Sequence, residues 1–403
     1  MTGWDEGRRV AWRLGADAPT PGGAVPVGGS AGRTVRAAVQ ARLPLPAFDN
    51  SAMDGWAVSG EGPWWEGAPV LAGSTGAPEP LRPGEARPIA TGAPVPPGTL
   101  AIVRSEHAGR NGGDGSVITV ALEPGRRLEA EADIRRRGEE LAGGETLLAP
   151  GSLITPPLAG LLAAAGIAQV EVAGELRVAT LAIGDELVDG DELVDGDAGD
   201  DAYALGLVRD SLTPQLGPIL GMLGASPVSA QRIPDRPEAV ADAVRSADAD
   251  LVVTTGGTAR GPADPLRAAL AGLGAHPVLD GLALRPGGSV LLSHLPSGRR
   301  VLSLPGNPFA AVVDLLLLGS AFIDGALGRP LADLRACGLP EGLQRLAVAR
   351  AVACVETEGA LRPVAHQRSG MLRGLTEATH LVLVPASSEP ETASARALPL
   401  PWS

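Results

Sequence analysis

Three short glycine-bearing turns each follow an apolar run and carry residues able to handle a phosphate or a cation. Gly184, Asp185 and Glu186 follow ATLAI; Gly256, Gly257 and Thr258 follow LVVTT; Pro305, Gly306, Asn307 and Pro308 follow VLSL. Glycine lets backbone amides approach a phosphate closely, and a helix that starts beyond such a turn adds about half a positive charge. Asp185, Glu186 and Asp264 could hold Mg²⁺, an ion that takes a few carboxylates and completes its shell with water and substrate phosphate. Two plainer readings stand beside this one. Asp264 precedes Pro265 at a helix start, where Asp is an ordinary N-cap, and Asp185 with Glu186 could merely solvate a strand end. Arginine must supply the opposite charge, and Arg135, Arg136, Arg137 and Arg285 are the candidates. The arginine triplet could equally form surface ion pairs with Glu139 and Glu140.

The elements that must position these residues can be read from periodicity. LRVATLAI, SPVSAQRIP, ADLVVTTGG and RRVLSLPGNP are strands, and they alternate with helices over Ser211–Gly224, Arg236–Ala247, DPLRAALAGL and Phe309–Leu327. That rhythm is a doubly wound parallel sheet from about 174 to 327, whose ligands bind beyond the carboxyl ends of its strands. The first 150 residues are rich in Pro and Gly and read as short strands between turns. TPPLAGLLAAAG is a helix that starts on proline and stops at Gly166, and short strands after 328 suggest a small β-barrel.

Composition excludes several functions. All 33 basic residues are Arg, so lysine-dependent Walker-A binding and Schiff-base chemistry are absent. A net charge of −13 and only 10 aromatic residues (Trp 6, Tyr 1, Phe 3) argue against a nucleic-acid partner. Asp185 to Asp201 holds nine acids and no base, the product of an exact duplication of GDELVD. Cys337 and Cys354 lack a zinc spacing and read as packing, and Gly28, Ser30 and Gly32 match a nucleophile-elbow pattern without the strand it needs. The amino terminus has no signal-like apolar core. The run Phe309–Ile323 is interrupted by Asp314 and reads as too short to cross a bilayer, so no membrane and a cytoplasmic location are expected.

Eight segments together resemble the signatures of the molybdopterin molybdenumtransferases, the family that includes the gephyrin E domain. They are LPLPAFDNSAMDGWAV (43–58), PIATGAPVPPGTLAIVRSE (88–106), DIRRRGEEL (133–141), IGDELV (183–188), TTGGTARGPAD (254–264), LRPGG (284–288), LPGNP (304–308) and PVAHQRSGML (363–372). The resemblance implies an α/β-plus-β multidomain chain: an elongated helical domain from residues 1–40 and 134–173, a β-rich insert at 41–133, a doubly wound molybdopterin-binding domain at 174–327 and a terminal β-barrel at 328–403. It implies a homodimer whose site lies between the insert of one subunit and the α/β domain of the other. The implied reaction inserts molybdenum from molybdate into adenylylated molybdopterin and releases AMP with the help of Mg²⁺. Molybdopterin adenylyltransferase and apo-molybdoenzymes are the implied protein partners.

Carried over residue by residue, the resemblance makes Asp54, Thr91, Asp185, Glu186, Asp264 and Arg285 catalytic. Gly184, Gly256, Gly257, Thr258, Asp235, Arg135, Pro305, Gly306, Asn307, Pro308 and Ser369 would bind the cofactor, with Asp185, Glu186 and Asp264 serving the metal; Glu140 matches a further site position. The chain departs from the pattern at Ile183 (usually Thr), Thr258-Ala259-Arg260 (usually Val-Ser-Val), Arg285 and Gly288 (both usually Lys) and Glu140 (usually Asp). Arg260 could compensate for a lost cation. A paralogue that binds or delivers molybdopterin without inserting metal is the alternative these departures raise, and a scaffold role is a third.

Overall fold

The computed structural model describes residues 1–73, 76–111, 119–188, 206–258, 264–390 and 392–403. The second copy of the acidic repeat, Ala259 and Arg260 lie outside these residues. An amphipathic helix α1 (Trp4–Ala16) opens the chain, with Asp5 and Glu6 in its first turn and Arg13 in its last. The periodicity reading overlooked it because the apolar stripe is thin. The acidic start and basic end nevertheless match the helix dipole.

The β-rich expectation for the next stretch holds. Strand β1 (Gly55–Val58) lies second in a six-stranded sheet, between β3 (Ala101–Arg104) and β2 (Glu85–Ile89). Ala57, Ile89 and Ile102 pack on one side of that sheet and Val58, Trp64 and Val103 on the other. Helix α2 (Pro156–Ala164) begins with Pro at its first turn, is capped by Thr155, and stops where Gly166 turns to φ +80°. Its Leu162 shares a core with Val27 and Val35 from the amino-terminal segment and with Val170 from the strand that follows the helix.

The alternation beyond residue 174 builds the element that matters most for the site. β4 (Arg177–Ile183), α3 (Thr213–Met222), β5 (Ser226–Ile233), α4 (Pro237–Ser246), β6 (Leu251–Thr255), α5 (Pro265–Gly272), β7 (His276–Asp280), β8 (Leu291–His294) and β9 (Arg300–Leu304) follow in order. The sheet runs β5-β4-β6-β9-β8-β7, and its first four strands are parallel. The expected all-parallel sheet is therefore corrected near one edge, where β8 runs antiparallel to both its neighbours, β9 and β7. The reason is local: Pro296–Gly298 is too short a connection for a crossover and permits only a hairpin. Leu284–Arg285 leaves this sheet altogether and pairs with Ala349–Arg350.

A continuous helical segment α6 (Pro308–Ala326) contains a π-turn over Leu315–Gly319. Its 19 residues are long and apolar enough to span a bilayer, which corrects the reading from run length alone, but 89% of its most apolar window is buried. Phe309, Val313, Leu317 and Phe322 sit in the main core with Leu14 of α1 and Leu302 of β9. The carboxyl-terminal strands β10 (Ala349–Thr357), β11 (His380–Val384) and β12 (Ala395–Pro399) form an antiparallel run within a third six-stranded sheet. Ser30 is buried and donates to the Val27 carbonyl at 2.8 Å, a structural role in place of a nucleophile's. Both cysteines are free, and burial pushes the Cys354 thiol up to about 12.

Candidate active site

Strand order makes the site. β4 and β6 are neighbours although α3, β5 and α4 separate them in sequence, so the order reverses between them and their carboxyl ends open a crevice. Ala182 pairs with Thr255, and Thr255 with Leu304, which brings the turns after Ile183, Thr255 and Leu304 side by side. The Gly256 amide donates to the Leu304 carbonyl at 3.1 Å, locking two of the turns together. Gly256 has φ +83°, and a Cβ there would collide with the Ile183 carbonyl. Glycine is thus required where the two turns touch. Gly257 lies against α5, where a Cβ would stand 2.9 Å from that of Leu266.

Acidic groups collect along this edge. The Asp235 amide donates to Asp185 Oδ1 at 3.2 Å, and the Glu186 carboxylate folds back over Gly184. Burial raises the Asp235 carboxyl above its ordinary value, and Glu186, Asp185 and Asp264 raise it further. Four carboxylates therefore share one field, as a cation-binding edge requires. Among the described residues no three of them converge as a ready-made metal centre, so a cation here needs phosphate or water to complete its shell. The chemistry of the donor set fits Mg²⁺ on those terms.

The structure shows Asp264 as the N-cap of α5, close enough to the acidic edge to be felt there. Its Oδ1 accepts from the Arg267 amide at 3.1 Å as the N-cap of α5, and the residue also contributes to the field at Asp235. At the third turn the expected free helix N-terminus is corrected. The Ser369 carbonyl accepts from the Phe309 and Ala310 amides at 3.0 and 3.3 Å, so these first donors of α6 are already used. Ser369 reaches the site edge through its backbone, and Gly370 beside it packs near the Asn307 amide oxygen. The carboxyl-terminal segment therefore caps the start of α6, while Gly306 and Asn307 stay exposed.

Cations are distributed unevenly. The exposed Arg285 side chain makes no hydrogen bond or ion pair among the described residues; the turn it opens is tied to Thr258 by a 3.5 Å contact between the Ser289 and Thr258 hydroxyls. Arg232, which the sequence reading overlooked, pairs in register with Ala182 and donates to the Leu187 carbonyl at 3.0 Å. Its signal was its place one residue before the end of a strand adjoining the acidic turn.

On the insert, Asp54 precedes β1 and accepts from the Thr91 amide at 2.7 Å and its hydroxyl at 2.9 Å. These bonds, the amide first, hold the exposed Asp54 carboxyl below its ordinary value. Arg135 is exposed and unpaired among the described residues, on a short strand facing Asn50. The other two arginines of the triplet bind different acids from those expected. Arg136 bridges Asp49 and Glu131 at 2.6 Å each, and Arg137 donates its amide to Asp49 at 2.7 Å. Glu139 accepts only the Arg136 amide, at 2.7 Å, and Glu140 is exposed. Asp54 with Thr91 and the acidic edge of the α/β sheet are two separate constellations, on different sheets.

A doubly wound sheet with glycine turns and carboxylates at its switch point, in one chain with a second β-sheet carrying an ordered exposed aspartate, defines the class: a mixed α/β protein with a crevice at the switch point of its parallel sheet. Residues 9–166 match the family model "MoeA N-terminal region (domain I and II)", and 179–324 match "Probable molybdopterin binding domain". The chain is 32% identical over 374 residues to the molybdopterin molybdenumtransferase of Synechococcus elongatus, covering 86% of each protein. It is 32% identical over 323 residues to molybdopterin molybdenumtransferase 2 of Mycobacterium tuberculosis, covering 76% of this chain and 75% of that one. The structure of the molybdopterin biosynthesis MoeA protein from Pyrococcus horikoshii superposes with a TM-score of 0.75 at 21% identity, over 100% of this chain and 99% of the other. The chain belongs to the molybdopterin molybdenumtransferase family.

Proposed function

We propose that the protein inserts molybdenum from molybdate into adenylylated molybdopterin and releases AMP, the last metal-loading step of molybdenum cofactor synthesis. The observation that carries this reading is the alignment of three glycine turns and four carboxylates at one switch point, in a chain of this family. Asp185, Glu186 and Asp264 would hold Mg²⁺ there, with Asp235 beside them. When bound, the cation neutralises charge developing on the phosphate as the phosphoanhydride is hydrolysed.

Gly184, Gly256, Gly257 and Thr258 present backbone and hydroxyl groups to the pterin phosphate, and Pro305 to Pro308 with Ser369 close the crevice on one side. Arg285, uncommitted and exposed, supplies a bidentate donor for the molybdate oxyanion. Asp54, held ionised by Thr91, meets this edge from the insert of a second subunit, and Arg135 accompanies it. That arrangement makes the working unit a homodimer, with 1–40 and 134–173, 41–133, 174–327 and 328–403 as its domains. A cytoplasmic site of action follows from the substrates, with molybdopterin adenylyltransferase upstream and apo-molybdoenzymes downstream.

The test is to mix purified protein with adenylylated molybdopterin, molybdate and Mg²⁺ and to follow AMP together with reconstitution of an apo-molybdoenzyme. AMP release coupled to active cofactor is the expected result. Tight pterin binding without AMP would overturn it in favour of a carrier, the reading that Ile183, Ala259, Arg285, Gly288 and Glu140 support by departing from the family pattern.

A further inference from the structure

The opposite edge of the same sheet carries a second constellation. His276 opens β7 and His294 closes β8, and the two are directly paired across the antiparallel hydrogen-bonded ladder. Directly opposed residues project from the same face of a sheet. Their ring centroids lie 5.3 Å apart with the planes tilted by 30°. Among the described residues neither imidazole makes a hydrogen bond or an ion pair, so their ring nitrogens are uncommitted. His276 is exposed and His294 half-buried, on the outermost strand pair of the sheet.

The spacing has a chemical meaning. A zinc–imidazole bond of about 2.0–2.1 Å, plus about 1.1 Å from the nitrogen to the ring centre, places each centroid about 3.2 Å from the metal. Two rings at a tetrahedral angle then stand about 5.2 Å apart, whereas adjacent square-planar ligands would stand about 4.5 Å apart. The observed 5.3 Å is close to the centroid spacing of the tetrahedral case. Neutral imidazole is also a donor type that suits zinc, nickel and copper, and oxygen-preferring Mg²⁺ is not its partner.

We infer that His276 and His294 form a two-imidazole chelate for a divalent transition metal, with Zn²⁺ as the ion whose geometry the pair fits, its remaining two positions being filled by water. The charged neighbour is Arg300, paired with His294 on β9, whose guanidinium donates to the Gly298 carbonyl in its own turn. At the other end of β7, Asp280 is bound to Arg267 at 2.8 Å and lies beyond reach of the pair. The site is separate from the candidate active site, because β9 runs away from Arg300 before reaching Pro305 at the carboxyl edge.

Zn²⁺ titration by calorimetry on the full chain, together with Co²⁺ visible absorption as a tetrahedral probe, tests the inference. Expected is one high-affinity site per chain with a tetrahedral Co²⁺ spectrum, weakened at least tenfold by His276→Gln and equally by His294→Gln. His107→Gln, at a histidine in a short helical turn of the insert, is expected to bind as the parent does. Both substitutions fall at a sheet edge, and melting curves matching the parent will show that the fold is intact. Unchanged affinity in His276→Gln, or no one-to-one binding by the parent chain, would overturn the inference. AMP release by His276→Gln at the parental rate is expected as well; its loss would contradict the separateness of the two sites.

Discussion

At the scale of single residues, Asp54 is the sharpest case, because its carboxylate is ordered without being buried. The Thr91 amide and hydroxyl hold it ionised, and nothing in the core leans on it. Asp54→Ala is therefore expected to lower molybdenum transfer on the order of 100-fold while leaving the melting temperature within about 1 °C of the parent. Thr91→Val removes only the hydroxyl and keeps the amide, so its loss should be several-fold smaller. A Thr91→Val defect as deep as that of Asp54→Ala, in steady-state AMP release, would show that Thr91 acts on substrate directly. Across the site, Asp185→Asn removes one charge from a field of four and is expected to raise the Mg²⁺ needed for half-maximal AMP release by on the order of tenfold. Magnesium titration of the two proteins decides it. Asp185 was legible because turn chemistry and charge are local properties, whereas Asp54 and Thr91 came only from the resemblance of 43–58 and 88–106 to a family signature. Arg232 was legible in neither way, since only the pairing of β4 with β5 brings it to the acidic turn.

At the scale of elements, the fully buried Asp314 in α6 shows what an apolar pattern conceals. It lies beneath Gly287, whose φ is +109°, and a Cβ on that glycine would collide with its carboxyl oxygen. Burial pushes the Asp314 carboxyl well above its ordinary value. Gly287→Ala is expected to destabilise by about 1–3 kcal/mol, from the strained backbone and the collision together. Adding Asp314→Ala should return the collision part and leave the backbone part, a coupling that a double-mutant cycle in urea measures. Purely additive losses would show that the turn moves freely over the helix. The sequence foretold the helix and the parallel core because runs such as LVVTT and RVATLAI are buried on both faces. It missed the antiparallel edge because β8 looks the same whichever way it pairs. It also missed the capping of α6 by Ser369, a contact between residues 60 apart in sequence, about which periodicity says nothing.

At the scale of the whole molecule, one buried group of charges ties the amino-terminal helix to the end of α6 and to the segment leading into the carboxyl-terminal sheet. Arg8 of α1 donates to the Ala332 carbonyl at 2.7 Å, and Trp12 donates its indole N–H to the Arg329 carbonyl at 2.9 Å. Arg329 in turn donates to the Thr34 hydroxyl at 2.8 Å and to the Leu223 carbonyl at 3.0 Å. Asp324 lies 3.8 Å from Arg329, too far to recover the cost of its burial, and its carboxyl rises from 3.8 to about 6. The unfolded chain therefore releases this proton near pH 4 while the folded chain keeps it until about pH 6. A state that binds more protons loses ground as protons become scarce, so this group's contribution to stability falls as pH rises between those values and is constant above them. The fall is on the order of 3 kcal/mol. Asp324→Asn has no proton to lose and should flatten that part of the stability profile. It should also gain on the parent at pH 7 relative to pH 4, as read by urea denaturation at the two pH values. Identical slopes for the two proteins between pH 4 and 6 would mean that the Arg8 and Arg329 guanidiniums keep Asp324 ionised throughout. The junction would then be a true ion-pair network holding three parts of the chain together by charge.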